Sequence, residues 1–432
     1  MDNKFNENES AVKNGGGSNS KSSHHSGGSH HSSNKGSRHH HSSHHHSSRK
    51  KHKKLKANLK VILLASALLA ALALVLVIAF KPAEPYEPSD PDQPVVETGS
   101  DILSAELINA EGRIINDAVK EYLAVDLMSA HNSNVAVSDF SNGQSRLDAQ
   151  VPVELKLSTK DSSAKAYKIE LADNSVFNDA KVSYIEGTTG VYTFEHLYAN
   201  TEYFYRVTVY TSSGTDSESG SFKTADCPRI LSIDGISNVR DIGNWQTDSG
   251  KRIKQGLLIR GTEMDGAVEN GYHLTNEGLS DMLDVFGIKT DIDLRAKTPL
   301  SKDTLGPRVE HKYYDMVMYA EIFSDTGKQK VKEVFTDLSD KNKYPIYLHC
   351  TYGKDRTGVV CYLLEALLGV SRGDCLKDYG LSNMKAVYMA VVEEGLKAYE
   401  GNTLMEQTEA YLLSCGVNEY QIQSIRDIFL GE

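Results

Sequence analysis

The run from Val61 to Phe80 contains no charged side chain, and Ser66 supplies its one hydroxyl. A helix of that length rises about 30 Å at ~1.5 Å per residue, the thickness of the hydrocarbon core of a bilayer. A core helix of a globular domain would show a polar face, and none appears. A secretory signal has a shorter apolar stretch ending at small residues, whereas this one ends Val77-Ile-Ala-Phe80-Lys81-Pro82. The expectation is a transmembrane helix over 58–80. Arg49, Lys50, Lys51, Lys53, Lys54, Lys56 and Lys60 crowd its N-terminal flank; the other flank carries Lys81 and then Glu84, Glu87, Asp90 and Asp92. The positive-inside rule then places the N-terminus in the cytoplasm and everything after the single pass outside, at the cell membrane.

The run divides two kinds of sequence. Residues 1–57 are Ser, Gly, His and Lys, with almost no large apolar side chain, and composition of this kind predicts a disordered basic tail. Histidine clusters such as His39-His40-His41 and His44-His45-His46 leave two readings: a metal-binding tail, or a solvated, pH-sensitive one, which the low-complexity composition favours. After the apolar run, Pro82, Pro85, Pro88, Pro91 and Pro94 recur at every third residue. That period matches polyproline II and predicts a semi-rigid linker over 81–100, holding the next domain roughly 40–60 Å from the bilayer.

Beyond the linker the chain is acidic, and the whole protein carries a formal net charge of -11 although its first 60 residues are strongly basic. An acidic globular part excludes nucleic acid as a partner class and disfavours docking on anionic lipid. The five cysteines (Cys227, Cys350, Cys361, Cys375 and Cys415) are odd in number and irregularly spaced, so they form neither a disulfide framework nor a zinc site. No metal or cofactor is expected.

A short helix is expected within Ala110–Tyr122. From 123 to 226 the pattern is strand-like: Val153, Leu155 and Leu157 alternate with polar residues, as do Tyr167, Ile169 and Leu171, and Tyr203, Tyr205, Val207 and Val209. The string Leu197-Tyr198-Ala199-Asn200-Thr201-Glu202-Tyr203 resembles the corner of fibronectin type III domains, with Ala199 and Asn200 where that family usually has Pro and Gly. The resemblance implies an all-β sandwich, a spacer or protein-binding module.

After residue 227 strands and helices interleave. Strands are expected at Gly256–Arg260, Ile288–Leu294, His311–Met316 and Tyr344–Leu348, and helices at Leu274–Phe286 with Thr275 as cap, Lys328–Leu338 and Thr357–Leu368. This order predicts an α/β domain whose central sheet is flanked by helices. The run Tyr344-Pro-Ile-Tyr-Leu-His349 leads into Cys350-Thr351-Tyr352-Gly353-Lys354-Asp355-Arg356, and Thr357-Gly358 opens a helix. A strand, a loop and a helix N-terminus in that order aim backbone N–H groups and the positive end of a helix dipole at one point, which suits a phosphate dianion. The same field favours a thiolate at Cys350. Arg356 offers a two-pronged grip on phosphate oxygens that lysine lacks. Thr357 is placed to donate a hydrogen bond to the sulfur as it leaves. The pattern predicts nucleophilic attack by Cys350 on a phosphate monoester, through a phosphocysteine.

The string resembles the HCxxGKDRTG signature of the protein tyrosine phosphatase superfamily, and more narrowly that of atypical tyrosine and phosphoinositide phosphatases secreted by some bacteria. Asn238-Val-Arg240-Asp241-Ile-Gly243 resembles that group's N-x-R-D-x-G entry segment, Gly256–Gly261 its next strand, and Asp293-Leu-Arg295 its D-L-R strand. The resemblance spans 228–430. It implies a central sheet of four or five strands, and points to Asp355 as general acid, because Trp245 is not followed by the Pro-Asp of most tyrosine phosphatases. Asp315 and Asp325 are rivals. Thr351, Tyr352, Gly353, Lys354, Thr357 and Gly358 are expected to line the substrate site. His349 is expected to orient the loop. Arg240, Asp241, Asp293 and Arg295 are expected either to support the site directly or to form a structural ion network behind the loop, the latter favoured for Asp293. Lys354 keeps inositol lipids open as substrates beside phosphotyrosine, and a surface protein that only binds phosphorylated ligands is the rival from another class.

Overall fold

The computed structural model describes residues 100–431 apart from 130, 131, 145, 268–270, 299 and 300. The tail, the apolar run and all but the last linker residue lie outside these residues, and the transmembrane expectation with them. Among the described residues no helix is long and apolar enough to cross a membrane.

The first half is built of antiparallel strands: β1 (Leu103–Ile108), β2 (Val153–Thr159), β3 (Ala166–Ala172), β4 (Lys181–Glu186), β5 (Thr189–Phe194), β6 (Glu202–Tyr210) and β7 (Thr215–Lys223). They form two sheets, ordered β1-β2-β5 and β4-β3-β6-β7. Alternation decides which side chains turn inward: Val153, Leu155 and Leu157 of β2 and Tyr203, Tyr205, Val207 and Val209 of β6 are buried, while the residues between them are not. Phe194 of one sheet meets Phe222 of the other at 5.4 Å between ring centroids. At the corner before β6, Asn200 takes a left-handed φ of 51° and the Tyr203 hydroxyl accepts the Tyr198 N–H at 2.8 Å.

Two features differ from expectation. β1 joins this unit ahead of residue 123, pairing Leu103 through Ile108 with β2. The chain between β1 and β2 then leaves the sheets. Its helix α1 (Asp117–Leu123), capped by Asn116, and the segment after it lie against the second half: the Ser138 N–H reaches Asn383 Oδ1 at 3.1 Å and the Gln150 N–H reaches Ser232 Oγ at 3.2 Å.

The second half has one six-stranded sheet. Strands β8 (Arg229–Ile230), β9 (Arg240–Asp241), β10 (Leu258–Gly261), β11 (Thr290–Asp293), β12 (Glu310–Tyr313) and β13 (Ile346–His349) run in the order β12-β11-β13-β10-β9-β8. The four at β12-β11-β13-β10 are parallel, and two-residue antiparallel strands extend that edge, giving more strands than the resemblance implied. Every residue of β10, β11 and β13 is buried, as expected of parallel strands covered on both faces. Helix α2 (Asn276–Ser280) is capped by Thr275, as its position predicts, but gives way to a π-helical turn, Asp281–Val285, rather than continuing. Helix α3 (Asp325–Leu338) precedes β13, and α4 (Asp355–Leu367) follows the loop after it. Buried residues fill α4 from Thr357 to Leu367 without interruption, so it is an interior helix. Helix α5 (Arg372–Leu381) packs beside it. The Cys350 loop thus sits at the carboxyl end of a central parallel strand, where open α/β sheets bind their ligands.

Candidate active site

The loop after β13 is shaped by where its backbone groups bond. Its carbonyls all have partners, most of them outside the loop. His349 Nδ1 lies 3.1 Å from the Cys350 carbonyl, which can only accept, so that nitrogen carries the proton. The Thr351 carbonyl accepts the Glu263 N–H at 3.1 Å. Asn238 Nδ2 donates to Tyr352 O at 3.0 Å and to Gly353 O at 3.1 Å, and Arg260 Nη2 adds a 2.9 Å bond to Gly353 O. The Lys354 carbonyl accepts the Gly358 N–H at 2.8 Å. In a trans peptide the N–H points opposite to the carbonyl it follows. Carbonyls bonded outward therefore turn the following amides inward, and none of the amides from Thr351 to Thr357 donates to a protein group among the described residues. Gly353 permits this path: its φ is +65°, and a Cβ there would stand 2.3 Å from the Gly261 carbonyl oxygen.

Other polar groups around the loop are also unspent. Arg356 Nε is buried without a hydrogen-bond partner, and among the described residues no carboxylate pairs with this guanidinium. The Thr357 hydroxyl is buried and has no hydrogen-bond partner among the described residues. Buried donors left unsatisfied are costly and rare, so the concentration here marks a place for an acceptor-rich ligand. Cys350 is itself buried. Burial pushes the Cys227 and Cys361 thiols up to about 12, which keeps both neutral and poor nucleophiles.

His349 is charged and structural. Burial alone would lower its pKa, but the Asp291 and Asp293 carboxylates override that and lift it to about 9. Its Nε2 lies 3.0 Å from Asp291 Oδ1, and the other oxygen of Asp291 lies 3.1 Å from His311 Nδ1. An imidazolium so held orients the loop and cannot serve as a base at neutral pH.

The supporting residues fall into separate buried networks. Arg240 pairs with Asp378 at 2.8 Å and donates to Asn238 Oδ1 at 2.8 Å; Arg260 pairs with the other oxygen of Asp378 at 2.6 Å. Asp241 ties Arg229 at 2.9 Å to the amides of Gly243 and Gly256. Arg295 pairs with Asp293 at 2.7 Å, with Asp265 at 3.0 Å and with Glu263. Sequence reasoning gave no role to Arg260 or Asp378. Asp378 lies on α5, far along the chain from both arginines, and nothing local marks it.

The three candidate acids are placed differently. Asp315 and Asp325 are exposed, the latter as the first residue of α3. Asp355 opens α4 beside the loop, and its Oδ1 accepts the Tyr319 hydroxyl. Lys354 is half-buried without an ion pair among the described residues, and Tyr352 is half exposed at the loop's rim.

Residues 231–415 match the sequence model described as a tyrosine phosphatase family. A candidate tyrosine-protein phosphatase of Cupriavidus necator is 28% identical over 183 residues, which cover 36% of this chain and 63% of that protein. A tyrosine-protein phosphatase of Nostoc commune is 28% identical over 125 residues, 24% of this chain and 42% of that protein. The chain thus spans less than two thirds of the length of either relative. Among solved structures, the core catalytic domain of the PP-IP phosphatase SIW14 from S. cerevisiae matches 32% of this chain and 79% of its own, at 15% identity and a TM-score of 0.26. The family model's match takes in the Cys350 loop, and that segment of the chain is similar to tyrosine phosphatases.

Proposed function

We propose that the chain is a cysteine-dependent phosphatase that hydrolyses phosphate monoesters, phosphotyrosine foremost, through a phosphocysteine. The observation that carries this is that, among the described residues, no amide from Thr351 to Thr357 has a protein acceptor and the Arg356 guanidinium beside them has no partner. A phosphate dianion supplies the acceptors that these donors lack, and in-line attack by Cys350 needs charge stabilisation on the equatorial oxygens, which Arg356 and the amides provide. Asp355, at the loop's end, protonates the leaving oxygen and then activates the water that cleaves the phosphocysteine. The orphaned Thr357 hydroxyl stabilises the departing thiolate.

The test is turnover of an aryl phosphate by the full-length chain. Activity that vanishes in Cys350→Ser supports the proposal; an inert wild type that still binds phosphorylated ligands makes this a binding protein instead. A second substrate class, phosphoinositides and inositol phosphates, is favoured by Lys354, a cation beside the loop with no ion pair among the described residues. Parallel assays on phosphotyrosine peptides and phosphoinositides separate the two.

We also propose that residues 58–80 anchor the enzyme as a single pass with the catalytic part outside, on the strength of the apolar run and its basic flank. The first-half sheets are proposed as a fibronectin type III-like module. The Tyr203 hydroxyl bonding back to the Tyr198 amide supports that, since such a tyrosine corner recurs in sandwiches of this class.

A further inference from the structure

We propose that Tyr319 is a positioning residue for the acid–base step: its hydroxyl occupies Oδ1 of Asp355 and leaves Oδ2 as the oxygen that exchanges the proton. The inference rests on Asp355 being the acid, as proposed for the reaction.

Tyr319 opens a short 3₁₀ turn, Tyr319–Phe323, between β12 and α3, with φ at +48°. A bulky L-residue rarely holds that conformation, and one found beside a reactive loop calls for a reason. The conformation coincides with two hydroxyl contacts: the Tyr319 O–H donates to Asp355 Oδ1, and its oxygen lies 2.8 Å from the Tyr379 hydroxyl. Tyr319 has one proton and gives it to the carboxylate, so Tyr379 must be the donor between the two phenols. The chain runs Tyr379 to Tyr319 to Asp355, each bond polarising the next. Tyr379 is fixed at its far end. It is buried on α5, and its ring lies so near α4 that a Cβ on Gly358 would come within 2.8 Å of it. Burial first, with neighbouring groups, pushes Tyr379 up to about 12 and Tyr319 higher still, so both phenols stay protonated at neutral pH.

This sorts the two carboxyl oxygens. A proton on Oδ1 would face the Tyr319 proton, so the acid form carries it on Oδ2, which has no protein partner among the described residues. In the first step the Sγ–P bond forms, the P–O bond to the leaving group breaks, and the Oδ2 proton passes to the leaving oxygen. In the second, a water oxygen bonds to phosphorus, one of its protons passes to Oδ2, and the S–P bond breaks to return the thiolate. Tyr319 stays on Oδ1 through both steps and steadies the carboxylate between them.

A residue that only staples this turn to α4 would matter equally for every substrate. A residue that serves the acid matters most when the leaving group needs a proton. The experiment compares kcat/KM of the full-length chain for phenyl phosphate, a poor leaving group, with dinitrophenyl phosphate, a good one. Tyr319→Phe is expected to lose about tenfold more on phenyl phosphate than on dinitrophenyl phosphate, and Tyr379→Phe to show the same bias to a smaller degree. Equal losses on both substrates overturn the proposal, and if Y319F does not fold, Y379F carries the test alone. Asp355→Asn separates this from the acid assignment beneath it. If D355N shows no leaving-group bias, the acid assignment fails and takes Tyr319 with it. If D355N shows the bias and the tyrosine variants do not, Tyr319 alone fails.

Discussion

Asp148 Oδ2 accepts the backbone N–H of Asn238 at 2.8 Å, and the Asn238 side chain in turn holds the Tyr352 and Gly353 carbonyls. A residue from the segment between β1 and β2 thereby fixes the Cys350 loop through Asn238. Asn238 is held at a left-handed φ of 54°, so a carboxylate on its amide secures a conformation that few residues adopt. Asp148 also accepts the Ser237 hydroxyl.

Asp148→Ala is expected to cost about 1–3 kcal/mol of stability and to lower kcat/KM for an aryl phosphate about tenfold. Burial opposes ionisation of Asp148, but the Asn238 amide and Ser237 hydroxyl outweigh it and hold its pKa below the usual range. A depressed carboxylate contributes stability above its ordinary pKa and loses it as pH falls through the depressed value. The gap between wild type and D148A should therefore narrow on acidification; urea titrations at descending pH measure it, and a constant gap would count against the clamp.

Arg356→Lys keeps the charge and removes the planar fork. A single ammonium does not reach two equatorial oxygens together, so kcat/KM is expected to fall about 100- to 1,000-fold. Vanadate affinity should fall with it. Steady-state kinetics and vanadate inhibition on the same preparation check both, and near-wild-type turnover in R356K would remove the fork from the mechanism.

Thr357→Val separates catalysis from stability. The hydroxyl is buried without a partner among the described residues, so an isosteric apolar side chain should leave the urea midpoint unchanged or raise it. Hydrolysis of the phosphocysteine should nevertheless slow, because the leaving sulfur loses its donor. Rapid mixing with an aryl phosphate is expected to show a burst of phenol release followed by slow turnover. A variant that is both slower and clearly less stable points to a structural role.

His349 sets a pH window. Its pKa is about 9 in the folded protein against an ordinary 6.5, so the Asp291 pair contributes stability fully below 6.5, lost as pH rises through about 9. The wild type is expected to weaken to urea across that window, and His349→Gln to be weaker at pH 6 with a flatter profile. A wild-type midpoint that does not move between those pH values would show that the imidazolium is not held as described.

The loop was legible because its chemistry is contiguous. Cys350, Arg356 and Thr357 stand on one strand–loop–helix unit, and the strand over 344–349 and the helix from 357 are separate hydrophobic runs that a reader of sequence can mark. Thr275 as a helix cap was legible for the same reason, since its partner is the amide of Gly278, three residues on. The break of α2 at Asp281 was not, because local propensity favours continuing the helix. The alternation Leu103, Ala105, Leu107 is a strand signal, but no expectation is placed on it, because the strand-like pattern of the sandwich is read as starting at 123.

The sequence alone determined which atoms stand together for the proposed chemistry: a thiol, a guanidinium and a hydroxyl at fixed spacing, because covalent distance along a short loop leaves them little freedom. Tertiary structure alone decided what aims them. Asn238, Arg260 and Glu263 draw the carbonyls outward, Asp148 holds the Asn238 amide, Asp378 joins two arginines behind the loop, and Tyr319 settles on one oxygen of Asp355. These partners are far apart along the chain, and the crossing of the sheet and its helices, which no local pattern encodes, is what brings them within hydrogen-bond reach.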